Sequence, residues 1–272
     1  MERIQSALAK ARAARDRKMQ SSNPGAAAKV ETGPWQDLAE VDLNARVLER
    51  NRIVAMHPGQ SAASFDLMRP NLIRTLRSNN WSRVAITSPT QGCGKSKVAL
   101  NLAFSLARMA DTRVLLIEID LRHPSILSIL GLPQGQNFSG MLASGQIDFG
   151  QIRRCGPSLA IAASSKPMES PAELLSATRT ADMIDEIEAK LRPDVILFDM
   201  SPMLANDDAI SFLDQVDCGL IVAAADETTV TEVDLCGKDL AKRTQVLGVV
   251  LNKCRFVDQE QPRPIRIDAT PE

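Results

Sequence analysis

The sequence predicts a doubly wound α/β fold with a mainly parallel sheet, and two features indicate it. From Arg83 onward, short apolar runs of strand length alternate with longer runs of helical period. Near-continuous apolar runs of this kind are typical of parallel strands that are covered on both faces. Strands and helices in alternation build a sheet between two helical layers, and ligands bind at the carboxyl ends of its strands.

Length, composition and charge narrow the class of protein. The 272 residues are 44% hydrophobic, which suits one sizeable domain with appendages. A net charge of −1 gives no strong positive field that would recruit nucleic acid. The five cysteines lack the spacing of a zinc site or a disulfide framework, so we expect reduced thiols in a cytoplasmic protein. No apolar run has bilayer length, and no signal peptide is expected.

Four segments are predicted along the chain. Residues 1–20 form a basic helix with a thin apolar stripe at Ile4 and Leu8, either a solvated extension or a docking helix for a membrane surface or partner. Residues 21–60 hold a turn-forming Asn-Pro-Gly and little periodicity, which predicts a linker and an irregular stretch whose Trp35 packs on the domain or on a partner. Residues 61–256 form the α/β domain, and residues 257–272 form a disordered tail.

Individual elements follow from local patterns. A helix over Ser64–Ser78 must hold Pro70 in its first turn or bend there. Ser170 to Glu173 has the form of a capping box and predicts a helix start. Apolar residues of helical spacing from Met183 to Leu191 predict a buried helix face. The predicted strands are Arg83–Thr87, Arg113–Ile119, Leu159–Ala163, Asp194–Met200, Gly219–Ala224 and Leu247–Leu251.

A glycine-bearing turn, Ser88 to Ser96, connects the first strand to a helical run. Strand, turn ending in Gly-Lys-Ser, then helix is the context of a phosphate-binding loop. The backbone N–H groups of Gly92 to Ser96 would hold phosphate oxygens, with Lys95 on the β- and γ-phosphates and Ser96 on Mg²⁺. A chance turn before a helix is the competing interpretation.

Acidic residues end two further strands and argue against the interpretation of the loop as a chance turn. Glu118 and Asp120 follow one apolar strand, and Asp199 ends another. A carboxylate at the end of a buried strand is unfavourable unless it is paired, and Mg²⁺ beside a triphosphate is a suitable partner. We expect Asp199 to hold Mg²⁺, directly or through water. Acids that merely cap strand ends are the alternative for each residue taken alone.

Taken together, these motifs resemble the bacterial tyrosine kinases, P-loop proteins of capsule and exopolysaccharide assembly. The likeness covers Phe65 to Arg255. The phosphate loop matches at Thr87–Ser96, and the Asn-Leu-Ala that follows it matches at Asn101–Ala103. The family's second acidic motif, an apolar run followed by Asp-x-Asp-x-Arg, matches at Glu118–Pro124, and its Walker B motif, which ends a strand in aspartate, matches at Val195–Pro202. The Gly-Val-Val-Leu-Asn run matches at Gly248–Asn252. Related partition ATPases carry a signature lysine where this chain has Thr90, which favours the kinase group.

The resemblance implies a P-loop NTPase fold of the deviant Walker-A type, with ATP and Mg²⁺ as cofactors. Its implied catalytic residues are Lys95, Glu118, Asp120 and Asp199. Its implied metal ligands are Ser96, Glu118 and Asp199. The implied nucleotide contacts are Gly92, Cys93, Gly94, Lys95, Ser96, Lys97 and Asn252, the last of these near the adenine.

Three departures from the family pattern limit this transfer. The chain has no tyrosine, so the family's autophosphorylation on a tyrosine cluster is impossible here. The ring-forming Glu-x-x-Arg-x-x-Arg motif falls on Ala63, Asp66 and Arg69, of which only Arg69 matches. Glu118 replaces the first aspartate of the second acidic motif and is one methylene longer.

The sequence therefore predicts a cytoplasmic Mg-ATP-binding protein of polysaccharide synthesis or export. It would transfer a phosphoryl group to a partner protein and work with a membrane chain-length regulator. Peripheral association with the inner face of the plasma membrane and a homo-oligomer are further expectations, and nucleic acid is not an expected partner. An ATPase switch without kinase activity is the first alternative, and a partition-type ATPase is the second.

Overall fold

A computed structural model describes residues 34–254 of the chain. The predicted basic helix, the first part of the linker and the C-terminal tail lie outside these described residues. The helices are α1 Pro34–Asp37, α2 Ala45–Arg50, α3 Ala63–Asn79, α4 Lys95–Ala107, α5 Ile126–Leu130, α6 Phe138–Ser144, α7 Ala172–Ser176, α8 Thr178–Leu191, α9 Asp208–Phe212 and α10 Val230–Ala241. The strands are β1 Arg83–Thr87, β2 Val114–Glu118, β3 Ile152–Arg154, β4 Leu159–Ala162, β5 Val195–Asp199, β6 Cys218–Ala224 and β7 Gln245–Asn252.

The strands form one seven-stranded sheet in the order β3-β4-β2-β5-β1-β6-β7. Every neighbouring pair is parallel except β3 with β4. The predicted doubly wound, mainly parallel α/β architecture is therefore confirmed. Its six predicted strands are all present with small shifts at their ends, and β3 is an additional antiparallel edge strand.

Both faces of the sheet are covered, as the unbroken apolar strands predict. Alternate residues of one strand enter different cores: Val84 and Ile86 face the layer of α3 and α4, whereas Ala85 faces the layer of α8 and α10. The apolar face predicted for α8 is buried, from Met183 through Leu191. Burial of both faces makes β1 and β5 rigid supports for whatever their carboxyl ends carry.

Of the two arrangements expected for Pro70, a position in the first turn is excluded, because α3 begins at Ala63 and continues through Pro70. The expectation at Ser170 needs correction. A helix does begin near Ser170, but its N-cap position is Pro171, which forms no side-chain cap, so the capping box predicted there is wrong. A capping box is instead formed by Thr229 and Glu232 at the start of α10.

The stretch before residue 61 is more ordered than its pattern suggests. Trp35 is 2% exposed and its indole nitrogen donates to the Pro157 carbonyl at 2.9 Å, so it packs on the domain. The buried Asn101 of α4 accepts hydrogen bonds from the amides of Val54 and Ala55 and donates to the Arg52 carbonyl. Residues 34–60 lie in the same compact unit as the sheet. We therefore propose that the domain begins at Pro34.

Helix length and composition also bear on membrane insertion. Within residues 34–254 no helix has the combination of length and apolar character that a bilayer crossing requires.

Candidate nucleotide-binding site

The loop between β1 and α4 has the backbone geometry of a phosphate cradle. Gly92 and Gly94 have φ values of 83° and 89°, in the left-handed region that favours glycine. Gly94 is also the N-cap of α4, so the loop ends where the helix exposes its first N–H groups. A Cβ on Gly94 would lie 2.3 Å from the Asn252 side-chain nitrogen. The backbone conformation therefore favours glycine at position 94, and an added Cβ would also displace the Asn252 side chain from the loop.

Asn252 lies at the end of β7 and contacts the loop directly. Its side-chain nitrogen donates to the Cys93 carbonyl at 2.8 Å. The structure thus brings this predicted nucleotide residue to the phosphate loop. Its contact with adenine stays a prediction.

Cys93 lies within the loop, but its thiol is already bonded. The residue is 2% exposed, and its Sγ donates to the Thr90 carbonyl and lies 3.5 Å from the Thr228 hydroxyl. Burial acts to raise the pKa of Cys93, but the hydrogen bonds with Thr228 and Thr90 outweigh it, and the pKa is lowered.

Lys95, the first residue of α4, faces the acidic residues of the neighbouring strands. Its Nζ lies 2.6 Å from Asp120 Oδ2. Burial acts to lower the pKa of Lys95, but the charges of Asp199, Asp120 and Glu118 outweigh it and the pKa is raised. Lys95 is therefore held as a cation at the point where phosphate oxygens would arrive.

Asp199 ends β5 beside β1, with Ile86 as its partner in the register. The residue is fully buried, and neither carboxylate oxygen makes a hydrogen bond of normal geometry with the described residues. Burial raises the pKa of Asp199 to about 6, although the nearby Lys95 and Ser96 act to lower it. Two unsatisfied buried oxygens are unfavourable, so this carboxylate suits a bound cation.

The surroundings of Asp199 fit Mg²⁺ held in the manner of a P-loop protein. No group of three or more histidine, cysteine or acidic side chains within residues 34–254 forms a metal cluster. Mg²⁺ in nucleotide sites is usually bound by one or two protein oxygens, with phosphates and water as the other ligands. Asp199 and the Ser96 hydroxyl would supply the protein oxygens, and the metal would neutralise phosphate charge.

The structure places Glu118 and Asp120 in different environments. The Glu118 carboxylate accepts hydrogen bonds from the amides of Ser125, Ile126 and Ser164. Burial raises the pKa of Glu118 to about 7, partly offset by these amides. Asp120, rather than Glu118, contacts Lys95. Ligation of Mg²⁺ by Glu118 stays a prediction, and its three amide contacts argue for another role.

Several residues that the sequence analysis missed surround Asp120. Ser201 donates its hydroxyl to Asp120 Oδ1 at 3.2 Å, and the His123 amide donates to the same oxygen. The Gln91 side-chain nitrogen of the phosphate loop lies 3.2 Å from His123 Nδ1. Position in the chain could have indicated Ser201, which follows Asp199 in the segment that leaves β5. The Gln91–His123 contact joins segments that share no local pattern.

Lys97 is the third residue of α4, and its carbonyl accepts from the Asn101 side chain at 2.8 Å. Its contact with nucleotide stays a prediction.

The structure assembles six of the predicted site residues at the carboxyl ends of β1, β2 and β5, namely Gly92, Gly94, Lys95, Ser96, Asp120 and Asp199.

Comparison with known proteins agrees with this geometry. The ParA family model, described as NUBPL iron-transfer P-loop NTPase, matches residues 81–267. The tyrosine-protein kinase ptk of Acinetobacter johnsonii is 28% identical over 225 residues, covering 81% of this chain and 30% of that protein. The tyrosine-protein kinase YwqD of Bacillus subtilis is 26% identical over 208 residues, covering 75% of this chain and 86% of that protein.

A solved structure also shows similarity to a bacterial kinase domain. The kinase domain of VpsO superposes with a TM-score of 0.62 at 27% identity, covering 71% of this chain and 96% of that one. The chain spans only 30% of the length of ptk and of the putative kinase EpsB from Ralstonia nicotianae. The resemblance to bacterial tyrosine kinases is thus confirmed for the nucleotide-binding domain. With its phosphate loop, acidic strands and sheet order, the chain belongs to the ParA family of P-loop NTPases.

Proposed function

We propose that this protein binds Mg-ATP and acts as an ATP-dependent phosphotransferase or ATPase in exopolysaccharide or capsule synthesis or export. The observation that carries the proposal is Asp199, whose buried oxygens make no hydrogen bond of normal geometry while Lys95 and Ser96 lie beside it. Lys95, Ser96 and the loop amides would bind and orient the phosphates, and bound Mg²⁺ would neutralise their developing charge. The resemblance to tyrosine kinases supports the role in polysaccharide assembly.

Asp120 is the carboxylate best placed to act on a nucleophile. It contacts Lys95 through one oxygen, and its other oxygen accepts from Ser201. A carboxylate beside the phosphate-binding lysine can orient an acceptor hydroxyl or water for in-line attack. We therefore assign nucleophile orientation to Asp120 rather than Glu118.

A tyrosine acceptor for the phosphoryl group would lie outside the 272 residues of this sequence, which contain no tyrosine. A cytoplasmic segment of a membrane chain-length regulator is the acceptor we propose. This partnership places the protein in the cytoplasm, peripherally at the inner face of the plasma membrane.

We also propose a homo-oligomer, but not one that assembles through the family's ring-forming motif. Asp66 accepts hydrogen bonds from Ser105 and Arg108 of the same chain, and Arg69 donates to the Ser105 carbonyl at 2.8 Å. These side chains are therefore engaged with the C-terminal end of α4 and its flanking residue.

An ATPase switch without kinase activity is the second candidate. The Lys95–Asp120 contact supports it, because an arriving phosphate would compete with Asp120 for the same ammonium group. Nucleotide binding would then loosen the connection between β2 and α5. A partition-type role is less well supported, since Thr90 occupies the signature-lysine position and the net charge is −1.

Radiolabelled ATP distinguishes kinase from switch. Purified protein is mixed with Mg²⁺ and ATP labelled at the γ-phosphate, with and without the cytoplasmic segment of the membrane partner, and Lys95→Ala serves as the inactive control. Label on the partner's tyrosine identifies a kinase. Free phosphate without labelled protein identifies a switch. If the protein binds ATP but forms neither labelled protein nor free phosphate, the enzymatic proposal is contradicted.

A further inference from the structure

Glu118 occupies the end of β2 next to Asp199 in the sheet register, yet its carboxylate is bound by backbone amides. Oε1 accepts from the Ser125 amide at 2.5 Å and from the Ile126 amide at 2.8 Å. Oε2 accepts from the Ser164 amide at 3.1 Å. Both oxygens are thus engaged, which distinguishes Glu118 from the unsatisfied Asp199.

The three amides belong to two separate connections at the carboxyl edge of the sheet. Ser125 and Ile126 lie at the start of α5, and Ser164 follows β4. The Ser164 hydroxyl in turn accepts from the Ser139 amide in the first turn of α6. One carboxylate therefore joins the chain after β2 to the chain after β4.

The segment that Glu118 closes contains residues of the nucleotide site. Residues 119–124 are fixed at one end by β2 and at the other by the Ser125 amide. Asp120 in this segment contacts Lys95, and His123 contacts Gln91 of the phosphate loop. A carboxylate that holds both ends of a short connection also limits where the side chains between them can lie.

We infer that Glu118 is a positioning residue that fixes the 119–124 connection so that Asp120 stays beside the phosphate loop, and that it does not ligate the metal. This inference rests on the proposed Mg-ATP function. Aspartate would be shorter by about 1.5 Å, the length of one carbon–carbon bond, and could not reach both connections without movement of the backbone. The longer side chain is therefore matched to its amide partners.

The test compares two variants of Glu118. Glu118→Asp shortens the side chain. Glu118→Gln keeps its length but replaces the oxygen that accepts from the Ser164 amide with an NH2 group, which is a donor. Glu186→Gln is the matched control, because Glu186 is an exposed glutamate of α8 whose carboxylate pairs with Lys190. Asp199→Asn is the reference for a lost metal ligand. Hydrogen exchange at Ser125, Ile126 and Ser164 is measured together with Mn²⁺ affinity in the presence of ATP and with turnover.

We expect faster exchange at the three amides in both Glu118 variants. Turnover should fall by about 100-fold, the loss that a displacement of about 1 Å can cause. The affinity for Mn²⁺ should stay within about twofold of wild type while Asp199→Asn loses it. A loss of Mn²⁺ affinity in Glu118→Gln like that in Asp199→Asn would overturn the inference, as would unchanged turnover with faster exchange.

Two further outcomes are also decisive. Loss of the fold in both Glu118 variants would show that the residue supports the whole domain rather than one connection, and would overturn the inference. If wild-type protein binds no Mg-ATP, the proposed function fails. Amide exchange would then still show whether Glu118 holds the two connections, so the two failures are distinguishable.

Discussion

Lys95 Nζ and Asp120 Oδ2 lie 2.6 Å apart, joining the first residue of the P-loop helix to the segment that follows β2. The lysine that would bind phosphate therefore also has an anionic partner within the protein. An exchange of one anionic partner for another avoids leaving a buried ammonium unpaired at any stage. This relationship makes Asp120 a competitor for Lys95 during binding and a neighbour of the phosphates afterwards.

The first prediction concerns Asp120→Asn. Binding of Mg-ATP should be as tight as in wild type or tighter, because Lys95 no longer has to leave a carboxylate. Turnover should fall by about 100-fold or more, since a general base or orienting carboxylate typically contributes about 10²–10⁴-fold. Calorimetry and phosphate release measure the two effects, with Asp234→Asn, at an exposed position of α10, as the control. Equal turnover in Asp120→Asn and wild type would contradict the assigned role.

The second prediction concerns Gly94→Ala. The added Cβ would lie 2.3 Å from Asn252 Nδ2, and the φ of 89° is strained for alanine. We expect loss of ATP binding with the fold retained, because the strain is confined to the loop. Gly59→Ala is the matched control, since nothing lies within 4 Å of the Cβ that alanine would add there. Wild-type ATP affinity in Gly94→Ala would show that the loop does not hold phosphate.

The third prediction concerns Asp199 and pH. Burial raises the pKa of this carboxylic acid to about 6, above its ordinary value of 3.8, so between these values the folded state binds more protons than the unfolded state. Its contribution to stability therefore falls as pH rises through this range. Asp199→Asn removes that contribution, so the ligand-free variant should gain stability relative to wild type between pH 4 and about pH 7. Thermal melts of both proteins across this range check it, and a constant difference would contradict it.

Much of the architecture is visible in the sequence because it depends on local and periodic patterns. The apolar run of β1, the glycines of the loop and the helical period of α4 follow one another directly. β3 was missed because its three residues include Arg153 and Arg154 and show no apolar run. The sequence does not show where Trp35 packs, because its hydrogen-bond partner, Pro157, is distant in the chain.

The site was predictable in its residue types but less so in their roles. Lys95, Ser96 and Asp199 lie together because parallel strands end at one edge of the sheet. The different roles of Glu118 and Asp120 depend on amides that come from Ser125 and Ser164. Such contacts are set by how loops close over the sheet, and no spacing of residues encodes them.

Calorimetric titration of Mg-ATP into wild type and Lys95→Ala is the most direct test of the nucleotide site. Removal of one charge-assisted phosphate contact should cost about 1.5–3 kcal/mol, or about ten- to a hundredfold in affinity. Lys238→Ala on the surface of α10 is the control, because its partner Asp234 is exposed. Saturable, Mg²⁺-dependent binding by wild type that weakens by this factor in Lys95→Ala is the predicted result. Equal affinity in the two proteins would contradict the account.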